Sequence, residues 1–343
     1  MAAPILIWGA GAIGGSAGAW LKRAGHDVTF VDVVQEHVAA VRNPSQGLRI
    51  TGPVEQFAVT APAFTPEELT GTWQHIFLAV KAQHTEAATR SLLPFLAGDG
   101  YVLSLQNGLN EDIIAGIVGR QRTIGAFINY GADWMAPGEI MFGNRGAVVL
   151  GELDGAITPR LRALHALLRD FEPDAITTPD IWAYLWGKLG YGAMLFAQAL
   201  GEAGIADCLA RPELLPLWRQ LGAEAISVAL AEGVQPRGFN GFEVDAFRPG
   251  AGEAAARASV AAMVAFNRDS AKTHSGVWRD LWVRKRRTEV DVQIAPIAEH
   301  GERHGIACPA TRCLVAMIHA AEQGRLPMSD GNLVGLARES AAA

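Results

Sequence analysis

The sequence predicts an α/β protein in which an N-terminal Rossmann dinucleotide-binding domain precedes an all-α C-terminal domain. Residues 5–32 run from an apolar strand through a glycine turn and a helix to a second strand that ends in an acid. Strand-like and helical segments then alternate up to about residue 171, which is typical of a parallel sheet covered by helices. From Asp180 onwards the strand pattern disappears and helical patterns dominate.

The first element is an apolar strand at residues 5–8 that leads into a glycine turn. The first glycine of such a turn permits the tight bend, and the second lets backbone N–H groups approach a pyrophosphate at the positive end of the helix. The third glycine allows the helix to pack closely on the strand. The residues predicted to bind the cofactor here are Gly9, Gly11, Ala12, Ile13 and Gly14.

The second strand ends at Asp32, where a carboxylate can accept hydrogen bonds from both ribose hydroxyls of an adenosine. The same charge repels a 2′-phosphate, so the predicted cofactor is NAD(H). Lys22 and Arg23 lie near enough in sequence to leave NADP(H) as the less favoured alternative. A purely structural turn, or another nucleotide-like ligand such as S-adenosylmethionine, is the remaining interpretation.

The rest of the first half continues the alternation and is predicted to close with an amphipathic helix. The later strands, joined by glycine-rich connections at 131–146, are expected to add an antiparallel extension to the sheet. The domain boundary is placed in the segment 172–179, giving domains 1–175 and 176–343. Further strands are predicted at 57–60, 76–80, 101–105, 122–129 and 147–150, and helices at 85–96, 111–118, 159–171, 181–203, 212–232, 253–266, 278–304 and 310–323.

Bulk composition narrows the class of function. The chain has 343 residues and 50% hydrophobic residues, which suits two globular domains. A net charge of −6 argues against nucleic-acid binding, and three cysteines form neither a disulfide framework nor a spaced metal set. The N-terminus enters the first strand directly, and the apolar run at 189–206 is interrupted by Gln198 and Glu202. We therefore expect a cytoplasmic protein with no metal site and no membrane span.

Two segments of the helical half carry groups that can move a proton when a nicotinamide passes a hydride. Lys188 stands alone among small and apolar residues, where burial lowers the pKa of an ammonium group. His274 and Ser275 precede a predicted helix and can grip an anion, while Glu289 can bind a substrate hydroxyl or pair with Lys188. The alternatives are a lysine that reaches solvent, a helix N-cap at Ser275 and a surface ion pair at Glu289.

Lys81 and Asn107 follow the predicted strands at 76–80 and 101–105. Ligands bind outside the carboxyl ends of the strands in such sheets. Lys81 is therefore a candidate contact for the cofactor or an acidic substrate, and Asn107 for the nicotinamide ribose or the carbonyl. Ordinary turn chemistry at a strand end is the alternative for both.

Taken together, these motifs resemble those of the ketopantoate reductase (2-dehydropantoate 2-reductase) family over nearly the whole chain. The resemblance implies a helical domain of the 6-phosphogluconate dehydrogenase C-terminal type, a homodimer, and reduction of a 2-keto acid. It places the family's general acid on Lys188, a substrate-contacting glutamate on Glu289, an anchoring serine on Ser275 and an active-site asparagine on Asn107. The matching segments are 9–15, 80–82, 105–109, 151–152, 186–189, 275–276, 280, 288–291 and 305–309.

The chain also departs from that family. Asparagines that line the family's substrate pocket one and two turns after the lysine are replaced by Gly192 and Phe196. Asp32 stands where the family's NADPH-dependent members carry a basic residue, and the spacing from Ser275 to Glu289 is expanded. Lost hydrogen-bonding groups can change specificity by orders of magnitude.

These departures predict an NAD-dependent dehydrogenase/reductase acting on CH–OH groups. Its small-molecule substrate is expected to be a 2-hydroxy/2-keto acid, or a related compound, with a bulky apolar part bound near Gly192 and Phe196, and Lys188 acts as general acid/base. Ketopantoate reductase itself, an opine-type dehydrogenase and a non-catalytic NAD-binding protein are the alternatives.

Overall fold

The strands that the structure describes all lie in the N-terminal part of the chain. The computed structural model describes residues 3–342, and within that range every strand ends before residue 178. The strands are β1 (Ile5–Trp8), β2 (Val28–Val31), β3 (Leu48–Thr51), β4 (Phe57–Val59), β5 (Ala63–Phe64), β6 (Trp73–Leu78), β7 (Leu96–Ser104), β8 (Thr123–Ile128), β9 (Gly131–Ala136), β10 (Glu139–Asn144), β11 (Val148–Glu152) and β12 (Ile176–Thr177).

An eight-stranded sheet forms the centre of this part, in the order β12-β11-β8-β7-β6-β1-β2-β5. In this order, β8, β7, β6, β1, β2 and β5 are all parallel to one another, whereas β11 runs antiparallel to β8. The strand order reverses beside β1, so the glycine turn that follows β1 lies at the switch point of a doubly wound sheet. The predicted Rossmann fold is confirmed.

The glycine-rich stretch at 131–146 does not extend that sheet. It forms the hairpin β9–β10, which belongs to a second sheet of order β4-β3-β10-β9. Pro137 and Gly138 make the turn, with Gly138 at φ 75°, and β10 then pairs parallel to β3. The expected antiparallel extension of the large sheet is confirmed in β11, which runs antiparallel to β8, whereas the expectation that 131–146 is only a connection was wrong. The sequence of this segment predicts a connection because the Pro-Gly turn and the glycines at both ends interrupt the pattern expected of a strand.

Strands β1 and β2, next to each other in the centre of the sheet, are buried along their whole length because both faces of the sheet are covered. All four residues of β1 are buried, as are all four of β2. Alternate side chains enter two separate apolar clusters, one containing Ile5 and Ile7 and the other Leu6 and Trp8. Burying such a side chain contributes about 1.5–3 kcal/mol, so this core fixes the edge of the sheet from which the site residues project.

Helices flank the sheet and make up the second half. Contacts divide the chain into one unit ending at Ile181 and another beginning at Trp182. No helix among residues 3–342 combines the length and apolar character needed to cross a bilayer. The helices are α1 (Ala12–Arg23), α2 (Gln35–Arg42), α3 (Thr85–Leu92), α4 (Glu111–Val118), α5 (Pro159–Leu168), α6 (Ile181–Gln198), α7 (Ile205–Leu209), α8 (Leu215–Ala231), α9 (Glu253–Arg268), α10 (Gly276–Trp278), α11 (Val290–Gln293), α12 (Ala295–Arg303), α13 (Pro309–Glu322) and α14 (Gly331–Ala342).

The long helix predicted over 278–304 is broken, so that prediction was wrong. After α10 comes a π-helical segment, Arg279–Val283, and then a loop in which Lys285 adopts φ 51°. Asp280 holds this loop because its carboxylate accepts hydrogen bonds from Arg284 and Arg286, at 3.0 Å in each case. The bonds that two arginines make to the buried Asp280 carboxylate outweighed the helical pattern of the sequence.

Candidate active site

The glycine turn after β1 needs glycine at two positions for packing and leaves the third open. Gly9 has φ 100°, and a Cβ there would lie 2.9 Å from the backbone of Ala79. A Cβ on Gly14 would overlap the carbonyl oxygen of Gly9. A Cβ on Gly11 would meet no described atom within 4 Å. Open space at Gly11, in front of a helix, fits the approach of a pyrophosphate.

Helix α1 begins at Ala12 directly after this open position. Within the described chain, no side chain caps its N-terminus. The first-turn N–H groups of Ala12, Ile13 and Gly14 have no partner inside the helix and carry its positive dipole end, so they suit a phosphate anion. The turn therefore fits the dinucleotide that the sequence predicts.

Asp32 is linked directly to the glycine turn. One carboxylate oxygen accepts a hydrogen bond from the Ala10 N–H at 2.8 Å, and the other accepts one from the Val34 N–H at 3.0 Å. An ionised carboxylate has about four acceptor positions, so two bonds leave capacity for ribose hydroxyls. Asp32 thus lies beside the turn with its charge fixed in place.

The loops that carry Lys81 and Asn107 are tied together by Gln106. The Gln106 amide nitrogen donates to the Val80 carbonyl at 2.9 Å and to the Thr85 hydroxyl at 2.8 Å. The backbone carbonyl of Asn107 accepts a hydrogen bond from the Asn110 side-chain amide at 2.7 Å, which holds the Asn107 backbone in place. Both predicted residues are partly exposed at the carboxyl ends of β6 and β7, the edge where ligands bind in such sheets.

A buried acid follows these loops at the first residue of α4. Glu111 is fully buried, and neither of its carboxylate oxygens has a hydrogen-bond partner among the described residues. Burial raises the pKa of Glu111 to about 7, against a weaker opposing effect of the Ser104 hydroxyl. The group therefore titrates in the neutral range, and its ionised form is poorly accommodated.

Replacing Glu111 with glutamine, which cannot ionise, is expected to stabilise the protein at alkaline pH by about 1–3 kcal/mol, since one unit of pKa shift corresponds to about 1.4 kcal/mol. The pKa of this carboxyl is raised from 4.5 to about 7 in the folded state, so the stability it contributes below 4.5 is lost as pH rises through 7. Urea unfolding at pH 5 and pH 8.5 measures the difference. Glu67→Gln, the same chemical change at an exposed glutamate, is the control and should change stability little at either pH.

In the helical unit, α6 presents one partly exposed stripe, while most of the residues around it are buried. The stripe carries Tyr184, Lys188, Gly192 and Leu195, at the spacing of one helix face. Phe196 lies off this stripe and is only 2% exposed. The sequence interpretation did not single out Leu195, although its spacing of seven residues from Lys188 is the available signal.

Lys188 is surrounded by the charges of two other residues. Burial, together with the nearby positive charge of Lys272, lowers the pKa of Lys188 to about 7, and the charge of Glu289 acts in the opposite direction. The sequence interpretation missed Lys272, because nothing in the spacing of the chain indicates that the loop before α10 approaches α6. Lys188 and Glu289, which were predicted separately, are brought together.

The backbone around Glu289 is itself held in place. Glu289 is buried at the start of α11, and the preceding Thr288 donates from both its N–H and its hydroxyl to the Glu322 carboxylate, at 2.7 Å each. Glu322 is the last residue of α13. A carboxylate at a helix C-terminus is disfavoured by the helix dipole, and the two bonds from Thr288 compensate for that placement.

His274 and Ser275 form a rigid start to α10. The Ser275 hydroxyl oxygen accepts a hydrogen bond from the Trp278 N–H at 3.1 Å, so it caps the helix and still has a proton to donate. The His274 ring contacts the Thr273 hydroxyl at 2.9 Å and the Glu202 carbonyl at 3.2 Å. His274 is thus engaged with the protein on both nitrogens.

Two tryptophans connect this segment to the end of α6. The indole N–H of Trp278 donates to the Gly201 carbonyl at 3.0 Å, and that of Trp282 donates to the Ala199 carbonyl at 2.6 Å. These carbonyls follow the last turn of α6, where no intrahelical donor remains. The π-helical segment, which lies between Ser275 and Glu289, is therefore attached to the end of the helix that carries Lys188.

Both units match family models. The model described as "Ketopantoate reductase PanE/ApbA" matches residues 5–155, and "Ketopantoate reductase PanE/ApbA C terminal" matches residues 180–322. A 2-dehydropantoate 2-reductase of Archaeoglobus fulgidus is 30% identical over 322 residues, which cover 93% of this chain and 98% of the relative. The chain belongs to the ketopantoate reductase family.

Solved structures agree with this membership. A ketopantoate reductase family protein from Ralstonia eutropha superimposes with a TM-score of 0.77 at 25% identity, covering 94% of this chain and 99% of that one. D-mandelate dehydrogenase with NADH and anilino(oxo)acetate superimposes with a TM-score of 0.82 at 21% identity, with the same coverage. As a ketopantoate reductase family member, this protein is an oxidoreductase that acts on CH–OH groups with a nicotinamide dinucleotide and a keto acid.

Proposed function

We propose that this protein is an NAD-dependent dehydrogenase that interconverts a 2-hydroxy acid and a 2-keto acid with a bulky apolar part. The observation that carries the proposal is the environment of Lys188. Lys188 lies within the electrostatic influence of Glu289 and Lys272, and its pKa is lowered to about 7. A group with a pKa near the working pH is well suited to both donating and accepting a proton.

The nicotinamide supplies or accepts the hydride when it is bound. Protonated Lys188 donates a proton from Nζ to the carbonyl oxygen during reduction, and neutral Lys188 accepts it from the hydroxyl during oxidation. The charge of Glu289 limits the fall in the pKa of Lys188. Asn107 and Lys81, at the strand ends, are proposed to contact the nicotinamide portion and the substrate.

Charge favours an anionic substrate. Lys188 and Lys272 together carry more positive charge than Glu289 neutralises. We assign Lys272 and the Ser275 hydroxyl to the substrate carboxylate, since an ammonium and a hydroxyl both donate hydrogen bonds to carboxylates. Lys272 was not among the residues predicted from sequence, and His274 supports Ser275 from the adjacent position.

The apolar part of the substrate is assigned to the stripe of α6 beyond Lys188. Among the described atoms, a Cβ built on Gly192 would approach only the side chain of Ile294, at 3.7 Å. The absence of a side chain at Gly192 therefore leaves room on this face of α6. Leu195 continues the same face with an apolar side chain. Because Phe196 is buried, Leu195 takes the substrate-facing place that the sequence suggested for Phe196.

NAD(H) is the proposed cofactor because Asp32 places a fixed negative charge beside the glycine turn. Reduction of ketopantoate is the second candidate function, since curated relatives such as the Archaeoglobus fulgidus protein are 2-dehydropantoate 2-reductases. We also propose a homodimer, in keeping with a neighbour of the same fold that is described as a dimeric ketopantoate reductase.

Steady-state assays with phenylglyoxylate and ketopantoate, each with NADH, test the proposed function. We expect phenylglyoxylate to have the higher kcat/KM by roughly 10-fold or more, because an apolar pocket distinguishes substrates by about 1–3 kcal/mol. Gly192→Asn fills the open position with a polar side chain and should reverse part of that preference.

Gly335→Asn is the matched control. It makes the same change at a helical glycine of α14, where a Cβ would meet no described atom within 4 Å. A wild-type preference for ketopantoate would contradict the proposed substrate and support the second candidate function.

A further inference from the structure

His37 is a buried polar residue that none of the motifs includes. It lies in α2 and is 1% exposed. Both ring nitrogens have partners, since Nε2 lies 2.8 Å from the Ala10 carbonyl oxygen and Nδ1 lies 2.9 Å from the Gly138 N–H. The indole nitrogen of Trp134 is a third neighbour, 3.3 Å from Nδ1.

These partners define the tautomer of the imidazole. A backbone N–H and an indole N–H can only donate, so Nδ1 must be the acceptor. The proton is then on Nε2, which donates to the Ala10 carbonyl. Burial lowers the pKa of His37, with Asp32 as the opposing charge, so the neutral ring that this arrangement requires is favoured.

Ala10 is the residue between the first two glycines of the turn. Its carbonyl shares one trans peptide group with the Gly11 N–H, and the two bonds point in opposite directions. Holding the carbonyl towards His37 therefore directs the Gly11 N–H away from the imidazole. The preceding peptide group is held as well, because the Ala10 N–H donates to Asp32 at 2.8 Å.

The other side of His37 belongs to the second sheet. Gly138 forms the turn of the β9–β10 hairpin, and a Cβ there would lie 2.7 Å from the Cβ of Ala40 in α2. Trp134 lies on β9. The imidazole thus connects the backbone of the glycine turn to a hairpin of the second sheet.

We propose that His37 is a positioning residue for the dinucleotide. Through the Nε2–Ala10 hydrogen bond it fixes the orientation of the Gly11 peptide, so that its N–H group is ready for the pyrophosphate before the cofactor arrives. The second sheet serves as the support from which His37 acts. The proposal rests on dinucleotide binding and is independent of Lys188 and of the substrate.

Two substitutions separate the functions of the two ring nitrogens. A glutamine at position 37 can bring an amide N–H to the place of Nε2 and donate to Ala10. An asparagine can bring its amide oxygen to the place of Nδ1 and accept from Gly138, but it is too short to reach Ala10. Trp134→Phe removes the indole donor and leaves the bond to Ala10 intact.

Binding of NADH to the purified full-length chain, followed by cofactor fluorescence, is the main measurement. For His37→Asn we expect the Kd to rise about 3- to 10-fold, the effect of one hydrogen bond, with kcat at saturating NADH near the wild-type value. His37→Gln and Trp134→Phe should stay within about 2-fold of the wild-type Kd, which is well below one such bond.

Equal Kd values for NADH in His37→Asn and His37→Gln would overturn the proposal. It would also be overturned if the loss of affinity across the variants simply paralleled the fall in their melting temperatures. Long-range ¹H–¹⁵N NMR of the wild-type imidazole tests the tautomer without any substitution, and a proton on Nδ1 would also overturn it. A wild-type protein that binds NADH but reduces no keto acid would contradict the proposed function and leave the role of His37 supported by the binding data.

Discussion

Replacing Lys188 with alanine is expected to lower kcat for keto acid reduction by about 10²–10⁴-fold, the usual contribution of a positioned general acid. The Kd for NADH should be unchanged, since the glycine turn and Asp32 that are assigned to the cofactor belong to the other unit. Stopped-flow reduction and cofactor titration measure the two quantities separately. Lys285→Ala removes an exposed lysine that lies over the Trp282 ring, and as the control it should retain most activity.

The same lysine sets the expected pH dependence. Because burial and Lys272 lower the pKa of Lys188 to about 7, the protonated form that reduction requires is lost as pH rises through 7. The kcat/KM for reduction should therefore fall above pH 7, whereas that for oxidation should rise through the same range. Lys272→Met removes the neighbouring positive charge, so it should move both inflections to higher pH.

Two results would contradict the role of Lys188. One is near-normal turnover in Lys188→Ala, and the other is a pH profile whose inflection does not move in Lys272→Met. Lys272→Arg separates charge from shape, because it keeps the positive charge and should keep the wild-type inflection. A loss of NADH affinity in Lys188→Ala would instead indicate a structural role for this lysine.

Replacing Asp32 with asparagine is expected to reduce the preference for NADH over NADPH, measured as the ratio of kcat/KM values, by roughly 10- to 100-fold. This corresponds to the 1.5–3 kcal/mol of a hydrogen bond to a charged group, together with the removal of repulsion of a 2′-phosphate. An asparagine oxygen can keep one of the two backbone bonds that Asp32 accepts, from Ala10 or Val34, so the turn should remain folded.

Asp27→Asn is the matched control because Asp27 is an exposed acid just before the opposite end of the same strand. It makes the same chemical change and alters the net charge equally, yet it should leave the cofactor ratio unchanged. A wild-type enzyme that prefers NADPH would refute the assignment of Asp32, and an unchanged ratio in Asp32→Asn would refute it as well.

Local patterns were enough to predict the parts of the site that are continuous in sequence. The turn from Gly9 to Gly14 could be recognised because its packing requires glycine at fixed positions next to an apolar strand. The fold class followed from the alternation of strands and helices, and family membership from the order of the motifs.

Features that depend on distant contacts could not be predicted in this way. The break after Trp278 depends on Asp280 meeting Arg286 across a loop, and the pattern of apolar residues continues through it. Lys272 approaches Lys188 only because the chain folds back between α9 and α10. His37 carries no motif, since its partners Ala10 and Gly138 lie 27 and 101 residues away.

The large sheet ends on each side in a strand of only two residues, β5 at one edge and β12 at the other. A free edge exposes unpaired N–H and C=O groups that can template pairing with another chain, and a very short edge strand gives such pairing little to extend from. The eight-stranded sheet therefore has no long edge strand with a row of unpaired backbone groups. We expect this arrangement to protect the enzyme against edge-to-edge aggregation during folding and at high concentration.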